Sequence, residues 1–271
     1  MPTLERLKRQ IDSAQALQAV VGTMKTLAAV NIRQYERATR SLADYSRAVE
    51  LGFQATLRDH LDELPSREKP LERLGVIAFG SDQGLCGRFN SQLADYALST
   101  LEQYTPDGKP LELLAVGVRA AAALERVGRA PAKTLTLPGS VAALTETVSE
   151  ILPLMTEWLE LRDIDHILLI HNRLYRATLY APHHQVLFPV NVSWLRELAA
   201  RPWESHSLPS ITLPWRNLFA ALVREHFFVV LYRALAESLA SENAARLAAM
   251  QTAEQNIETH LDELELAYHQ A

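Results

Sequence analysis

Trp215-Arg-Asn-Leu-Phe-Ala-Ala-Leu-Val-Arg224 opens a stretch that reaches Ala271 without a glycine or a proline, 57 residues in all. Proline costs about 3 kcal/mol inside a helix and glycine about 1, so a breaker-free run rich in Ala, Leu, Glu, Arg and Gln reads as helix. The other end mirrors it. From Thr3 to Leu64 there is no proline, and the only glycines are Gly22 and Gly52. At 1.5 Å per residue each segment would extend on the order of 80 to 90 Å, longer than a compact domain needs. Two long helices bracketing a middle punctuated by glycine and proline describe a shaft with something attached.

In the first helix apolar residues recur at Leu4, Leu7, Ile11, Ala14, Leu17, Val21, Met24, Ala28, Ile32, Tyr35, Leu42, Tyr45, Val49 and Phe53. Steps of three and four alternate over most of that length, which is the seam of a coiled coil. Leu218, Leu222, Val229, Tyr232, Ala236, Leu239, Leu247, Met250, Ile257, Leu261, Leu264 and Tyr268 do likewise in the last segment. A lone helix would leave such a seam wet, and the middle can return the chain, so the two are expected to pair antiparallel. Residues 1–47 carry eight basic against four acidic groups, and residues 215–271 four against eight. Exposed pairs contribute only a few tenths of a kcal/mol each, so this asymmetry bears on orientation more than on stability.

Between the helices, Leu61 to Pro70 is a polar break marked by proline. Leu74–Phe79, Leu111–Val116 and His166–Ile170 read as buried strands, with helical patterns at Phe89–Gln103, Arg119–Val127 and Val141–Leu161 between them. Alternating strands and helices give βαβ units and a mainly parallel, Rossmann-like sheet. Tyr180–Val192 is expected to add an edge strand, since Pro182 and Pro189 cannot donate to a ladder. Arg201–Pro214, with three prolines, is the linker into the last helix. The fold class is α/β with a long antiparallel coiled coil: residues 1–64 and 214–271 form one shaft, and residues 70–200 the α/β domain.

A net charge of -5 and a pI near 6.0 exclude the basic face of a general nucleic-acid binder. The single Cys86 excludes an internal disulfide and a cysteine-based zinc site. No run approaches the roughly 20 apolar residues of a membrane span, and Met1 to Arg6 lack the apolar stretch of a signal peptide. If the protein works at a membrane, a partner holds it there. Gly80-Ser-Asp-Gln-Gly84-Leu-Cys-Gly87 follows a strand and precedes a helix, where phosphate loops sit. A P-loop needs GxxxxGK[ST]; here the glycine spacing is one short and Leu85-Cys86 replace Lys and Ser/Thr, so a structural turn is the better reading. Cys86 among small residues reads as a small buried hydrophobe. His183-His184 and His166/His171 lack the convergent spacing of metal ligands. The residues point to no catalytic site, no cofactor and no metal.

These residues carry a resemblance. Ser81-Asp82-Gln83-Gly84-Leu85-Cys86-Gly87-Arg88-Phe89-Asn90 resembles the S/T-D-R-G-L-C-G-G-x-N signature of the gamma subunit of F-type ATP synthases. Leu239-Ala-Ser241-Glu242-Asn243-Ala-Ala-Arg246-Leu-Ala-Ala-Met250 is similar to that family's L-A-S-E-x-A-A-R-M-x-A-M block, and Met24-Lys25-Thr26-Leu27-Ala28-Ala29 to its M-x-x-V-A-A stretch. The three motifs occur in the family's order and together cover nearly the whole chain.

The resemblance implies a rotor: a coiled coil that penetrates a hexamer of alternating alpha and beta subunits, with the α/β domain beside its foot, near the epsilon subunit and the ring of c subunits. It further implies attachment, without insertion, to the cytoplasmic side of a bacterial inner membrane, coupling H+ or Na+ flow to ATP synthesis or hydrolysis. Carried over position by position, the contact and coupling residues would be Met24, Lys25 and Arg33 on the first helix. Asp82, Gln83, Gly84, Leu85, Cys86 and Gly87 would serve in the loop, and Ser241, Glu242, Asn243, Arg246 and Met250 on the last helix. Gln83 and Arg88 depart from the usual signature, which marks an atypical branch such as the alternate, N-type F-ATPase that some bacteria carry. Against the family's usual C-terminal extension the sequence stops short, which leaves two readings open: a shaft whose tip lacks that overhang, or a truncated sequence. Two readings from other classes remain at this point: a coiled-coil scaffold or tether with an α/β docking domain, and a small-molecule enzyme resting on the middle segment alone.

Overall fold

The computed structural model of the chain describes residues 4–65, 70–105, 111–176, 179–203, 205–207 and 209–270. Expectations touching Met1–Thr3, residues 66–69 of the polar break, linker positions 204 and 208, and Ala271 lie outside the described residues.

The last segment forms a single helix, α7, over Trp215–Gln270. The first differs from expectation. It is two helices, α1 (Leu4–Ser41) and α2 (Ala43–Leu57), followed by a 3₁₀ turn at Leu61–Glu63. The interruption is slight: Leu42 between the two helices keeps helical angles (φ -79, ψ -9), and Ser46 N still donates to the Leu42 carbonyl at 2.9 Å. The Thr39 and Ser41 hydroxyls donate back to the Tyr35 and Ala38 carbonyls beside it, at 3.1 and 2.9 Å. The two ends of the chain pair antiparallel. Lys25 meets Glu254, Asn31 meets Asn243 and Tyr45 meets Glu225, so position falls on α7 as it rises on α1 and α2.

The middle is a five-stranded sheet in the order β3-β2-β1-β4-β5. β1 (Leu74–Phe79) and β2 (Leu111–Val116) coincide with the apolar runs of the sequence. β3 (Lys133–Leu135) is a short parallel edge strand that the sequence did not announce. β4 (His166–Arg176) continues six residues beyond the expected strand, because it pairs antiparallel with β5 (Leu179–Phe188) in a long hairpin. β5 occupies the other edge, as Pro182 required. The intervening helices are α3 (Phe89–Tyr104), α4 (Val118–Arg126) and α5 (Leu144–Leu161), and α6 (Val192–Ala200) follows the hairpin.

Because side chains alternate across a strand, each strand feeds two layers. Val76, Ala78, Leu113, Ala115, Leu168 and Ile170 pack under α3 and α4. Ile77, Phe79, Leu114, Val116, Ile167 and Leu169 pack on the opposite side against α5 and directly against α7. The shaft therefore forms one layer of the α/β core. This accounts for the stretch Ala234 to Ala245, where every residue except half-buried Glu237 is buried. With α1 on one side and the sheet on the other, α7 needs Ala and Ser at most of these positions for close approach. Below it, Phe53 and Leu57 of α2, Leu195 and Leu198 of α6 and Val229 of α7 form a separate apolar cluster at the foot.

Candidate functional site

The loop between β1 and α3 is built to hold still. Gly80 leaves β1 so close to α4 that an added Cβ would lie 2.2 Å from the Ala120 Cβ. Gly117 opens α4 with φ +117, and a Cβ there would meet the Ser81 backbone at 2.8 Å, so only glycine fits the conformation and the space. Asn90 Nδ2 donates to Ser81 Oγ at 2.7 Å, and Ser81 N donates to Asn90 Oδ1 at 3.0 Å. The Asp82 carboxylate accepts from Val118 N at 2.8 Å and Leu137 N at 2.7 Å, tying the loop to the start of α4 and to the segment after β3. Cys86 turns inward beside Phe89 and packs on Ala245 of α7, with Tyr180 of the hairpin covering the cluster. Burial raises the thiol pKa, so it behaves as a small apolar side chain.

Leu85 does the opposite. It sits at φ +62, a conformation that costs a branched residue free energy, and is 61% exposed. Gln83 and Gly87 are exposed beside it. The loop thus anchors itself through Ser81, Asp82 and Cys86 and displays Gln83, Leu85 and Gly87.

Opposite the loop, α7 supplies the grip. Arg246 reaches the Gly84 carbonyl at 3.5 Å and the Glu242 carboxylate at 2.6 Å. Burial raises the Glu242 pKa, Arg246 works against this, and the charge of Asp82 adds to it. Ser238 donates to the Phe79 carbonyl at 3.2 Å and Ser241 to the Asn172 carbonyl at 3.1 Å. Asn243 donates to the Leu239 carbonyl at 2.8 Å and accepts from Asn31 of α1 at 3.3 Å. Met250 is buried and Met24 half-buried on the helix pair, and Lys25 closes onto Glu254. Arg33 is exposed, as are Arg37 and Arg40. Much of the basic surplus of α1 therefore faces outward rather than toward the acids of α7.

The carried-over residues thus fall into three groups. Gly84, Cys86, Ser241, Glu242, Asn243, Arg246, Met24, Lys25 and Met250 join domain to shaft or helix to helix, Asp82 braces the loop within the α/β domain, and Arg33, Gln83, Leu85 and Gly87 face solvent. Sequence reasoning missed Asn31, Asn172 and Glu237 as members of the same clasp. Glu237 is one turn before Ser241 on α7, the only sequence signal that pointed to it. Among the described residues no group of three or more His, Cys, Asp or Glu side chains is placed to hold a metal ion. None of the described helices is long and apolar enough to cross a membrane.

A long helix pair clasped by one loop of a Rossmann-like sheet is the architecture on which comparison with known proteins converges. The family model described as ATP synthase matches residues 3–271. The ATP synthase gamma chain of Neisseria gonorrhoeae is 26% identical over 268 residues, covering 97% of this chain and 90% of that protein. This chain belongs to the ATP synthase gamma-chain family. The gamma chain of Nitrosococcus oceani is likewise 26% identical, over 277 residues, covering 100% of this chain and 93% of its own length. Among solved structures, the rotor of the Euglena gracilis mitochondrial ATP synthase shares the fold with a TM-score of 0.65 at 17% identity. That match covers 98% of this chain and 96% of the other. The central stalk and c-ring structure from Tetrahymena thermophila gives 0.63 at 19% identity, covering 86% of this chain and 99% of the other. Membership in the family gives the clasp a meaning: it joins the part of a gamma chain that is long to the part that is wide.

Proposed function

We propose that this chain is the central-stalk rotor of an F-type ATP synthase or ATPase, coupling ion flow through the membrane sector to ATP synthesis or hydrolysis in the catalytic head. The observation that carries the reading is mechanical. α7 runs 56 residues without interruption, pairs along its length with α1 and α2, and is locked mid-way into the core of the α/β domain. Torque applied to that domain is transmitted to the shaft through buried side chains rather than a hinge.

In this reading the chain has no catalytic site of its own. Its head-facing surface is the outer side of α1, where Leu17, Val20, Leu27 and Val30 form an exposed apolar stripe with exposed Arg33 beyond it. Leu85 and Gln83 add a second contact for the alpha and beta subunits. The epsilon subunit and the c-subunit ring take the foot. There an apolar cavity of about 550 Å³ opens between α5, the end of β5, α6 and α7, lined by Met155, Leu159, Phe188, Phe219, Val223 and Phe227. The chain works on the cytoplasmic side of a bacterial inner membrane, held there by these partners. Co-expression with alpha and beta subunits tests the proposal: a stable complex that requires the chain supports it, and a chain that purifies alone under those conditions refutes it.

A further inference from the structure

Three histidines meet where the β4–β5 hairpin leans on the shaft. β1 pairs with β4 only as far as His171, and beyond that point the hairpin is held by α7 on one side and α3 on the other. His171 is 2% exposed; its Nε2 lies 3.2 Å from Glu237 Oε2, and its Nδ1 has no partner. His183 stands opposite it in the ladder, the two rings perpendicular with centroids 5.8 Å apart. Arg173 of β4 brings Nε to 3.5 Å from the same Glu237 carboxylate, and Arg233 of α7 acts on it from one turn away. On the α3 side, His184 Nδ1 is 2.7 Å from the Tyr96 hydroxyl and Nε2 3.5 Å from that of Tyr104. One carboxylate, Glu237, therefore serves His171, Arg173 and Arg233 together, with His183 across the ladder.

We propose that this cluster is a proton-sensitive latch between the hairpin and the shaft, closed while His183 is neutral and loosened when it gains a proton. His171 Nε2 donates to Glu237 and its buried Nδ1 has no partner, so the ring receives no donor from its neighbour across the ladder. A charged His183 meets repulsion from Arg173, and the Glu237 carboxylate is already shared among His171, Arg173 and Arg233.

The sign of the pH dependence follows from the shifts. Burial lowers the His183 pKa from 6.5, and His171, Arg173 and His184 lower it further against the smaller opposing pull of Glu237. The folded state takes up this proton less readily than the unfolded chain. Its contribution to stability is thus present above pH 6.5 and lost as pH falls through that value toward the folded pKa. Burial works to raise the Glu237 pKa, but the hydrogen bond and charge of His171, with Arg173 and Arg233, outweigh it and hold it below 4.5. Glu237 therefore stays ionised across the window in which His183 titrates. The latch concerns the isolated chain, so it stands or falls separately from the rotor reading.

Hydrogen exchange read by mass spectrometry on the full chain at about pH 7.5 and 5.5, corrected for intrinsic rates, tests it. Protection in residues 168–176, 179–186 and 230–242 should fall severalfold at the lower pH relative to β1 and β2. His183→Gln, which keeps the side chain polar but cannot charge, should retain most of that protection at the lower pH, and His226→Gln should not. Wild-type protection that is independent of pH in this range overturns the latch. So does an undiminished loss of protection in His183→Gln.

Discussion

Arg246→Met isolates the clasp between shaft and loop. Arg246 and Glu242 are side chains only 11% and 6% exposed, joined at 2.6 Å. Removing one partner of a buried ion pair costs about 3 to 5 kcal/mol, mainly because the other charge is left unpaired. Arg246 Nε already lacks a partner and the contact to the Gly84 carbonyl is long, at 3.5 Å, so the lower end, about 3 kcal/mol, applies. For a chain of this size that corresponds to roughly 6 to 12 °C in Tm. The penalty should depend on pH. Burial holds the Glu242 pKa above 4.5, with Asp82 adding to the rise, and Arg246 is the group that opposes it. Without Arg246 the folded state favours the protonated carboxyl still more. The variant should thus match its parent near pH 4.5 and fall behind as pH rises toward 8. Urea denaturation followed by circular dichroism, parent against variant at each pH, reads this directly. Adding Glu242→Met should restore most of the loss, since a well-packed apolar pair replaces the orphaned charge. A penalty below about 1 kcal/mol, or a full penalty that neither varies with pH nor is relieved by Glu242→Met, would refute the reasoning.

His226 is half-buried among Phe53, Trp194 and Phe227, and desolvation there, with Arg233 adding, lowers its pKa to about 4. The foot should therefore be fully stable above pH 6.5 and lose up to about 3 kcal/mol as pH falls toward 4; urea midpoints should show this in the parent and a flatter profile in His226→Phe. Gly117→Ala should cost about 1 to 3 kcal/mol, because φ +117 is strained for alanine and its Cβ would press on the Ser81 backbone; a thermal shift within error of the parent counts against the packing described for the loop. Leu85→Asn should leave the isolated chain as stable as the parent or slightly more so, since Asn tolerates the left-handed conformation. The same variant should weaken association with alpha and beta subunits in a pull-down, and unchanged association would remove Leu85 from the head-facing surface.

The seam of α1 shows what was legible and what was not. An alternation of steps of four and three from Leu7 runs through Ile11, Ala14, Gln18, Val21, Lys25, Ala28, Ile32 and Tyr35, all buried or half-buried. Two of those positions are polar, so a reading that follows only apolar residues steps sideways onto Leu17, which is 58% exposed. That sideways stripe is a second surface, and the two cannot be separated by hydrophobicity alone. β1 and β2 were visible because both faces are covered, making the strands continuous apolar runs. β3 was not, since three residues at an edge carry no period. α6 announces itself only through Asn191, whose side chain accepts from Trp194 N. The loop's glycines could be read as a turn. That the turn grips Arg246, 162 residues away, and that α7 is buried on both sides from Ala234 to Ala245, depends on tertiary packing that no local pattern encodes.

Rotation itself is the most direct test. A Ser99→Cys variant places a reactive thiol on the exposed side of α3 while the natural Cys86 stays buried. With that position tagged by a bead and the assembled complex fixed through its alpha and beta subunits, addition of ATP should produce continuous rotation in one direction. A complex that hydrolyses ATP while the bead stays still would contradict the rotor and leave the chain a tether.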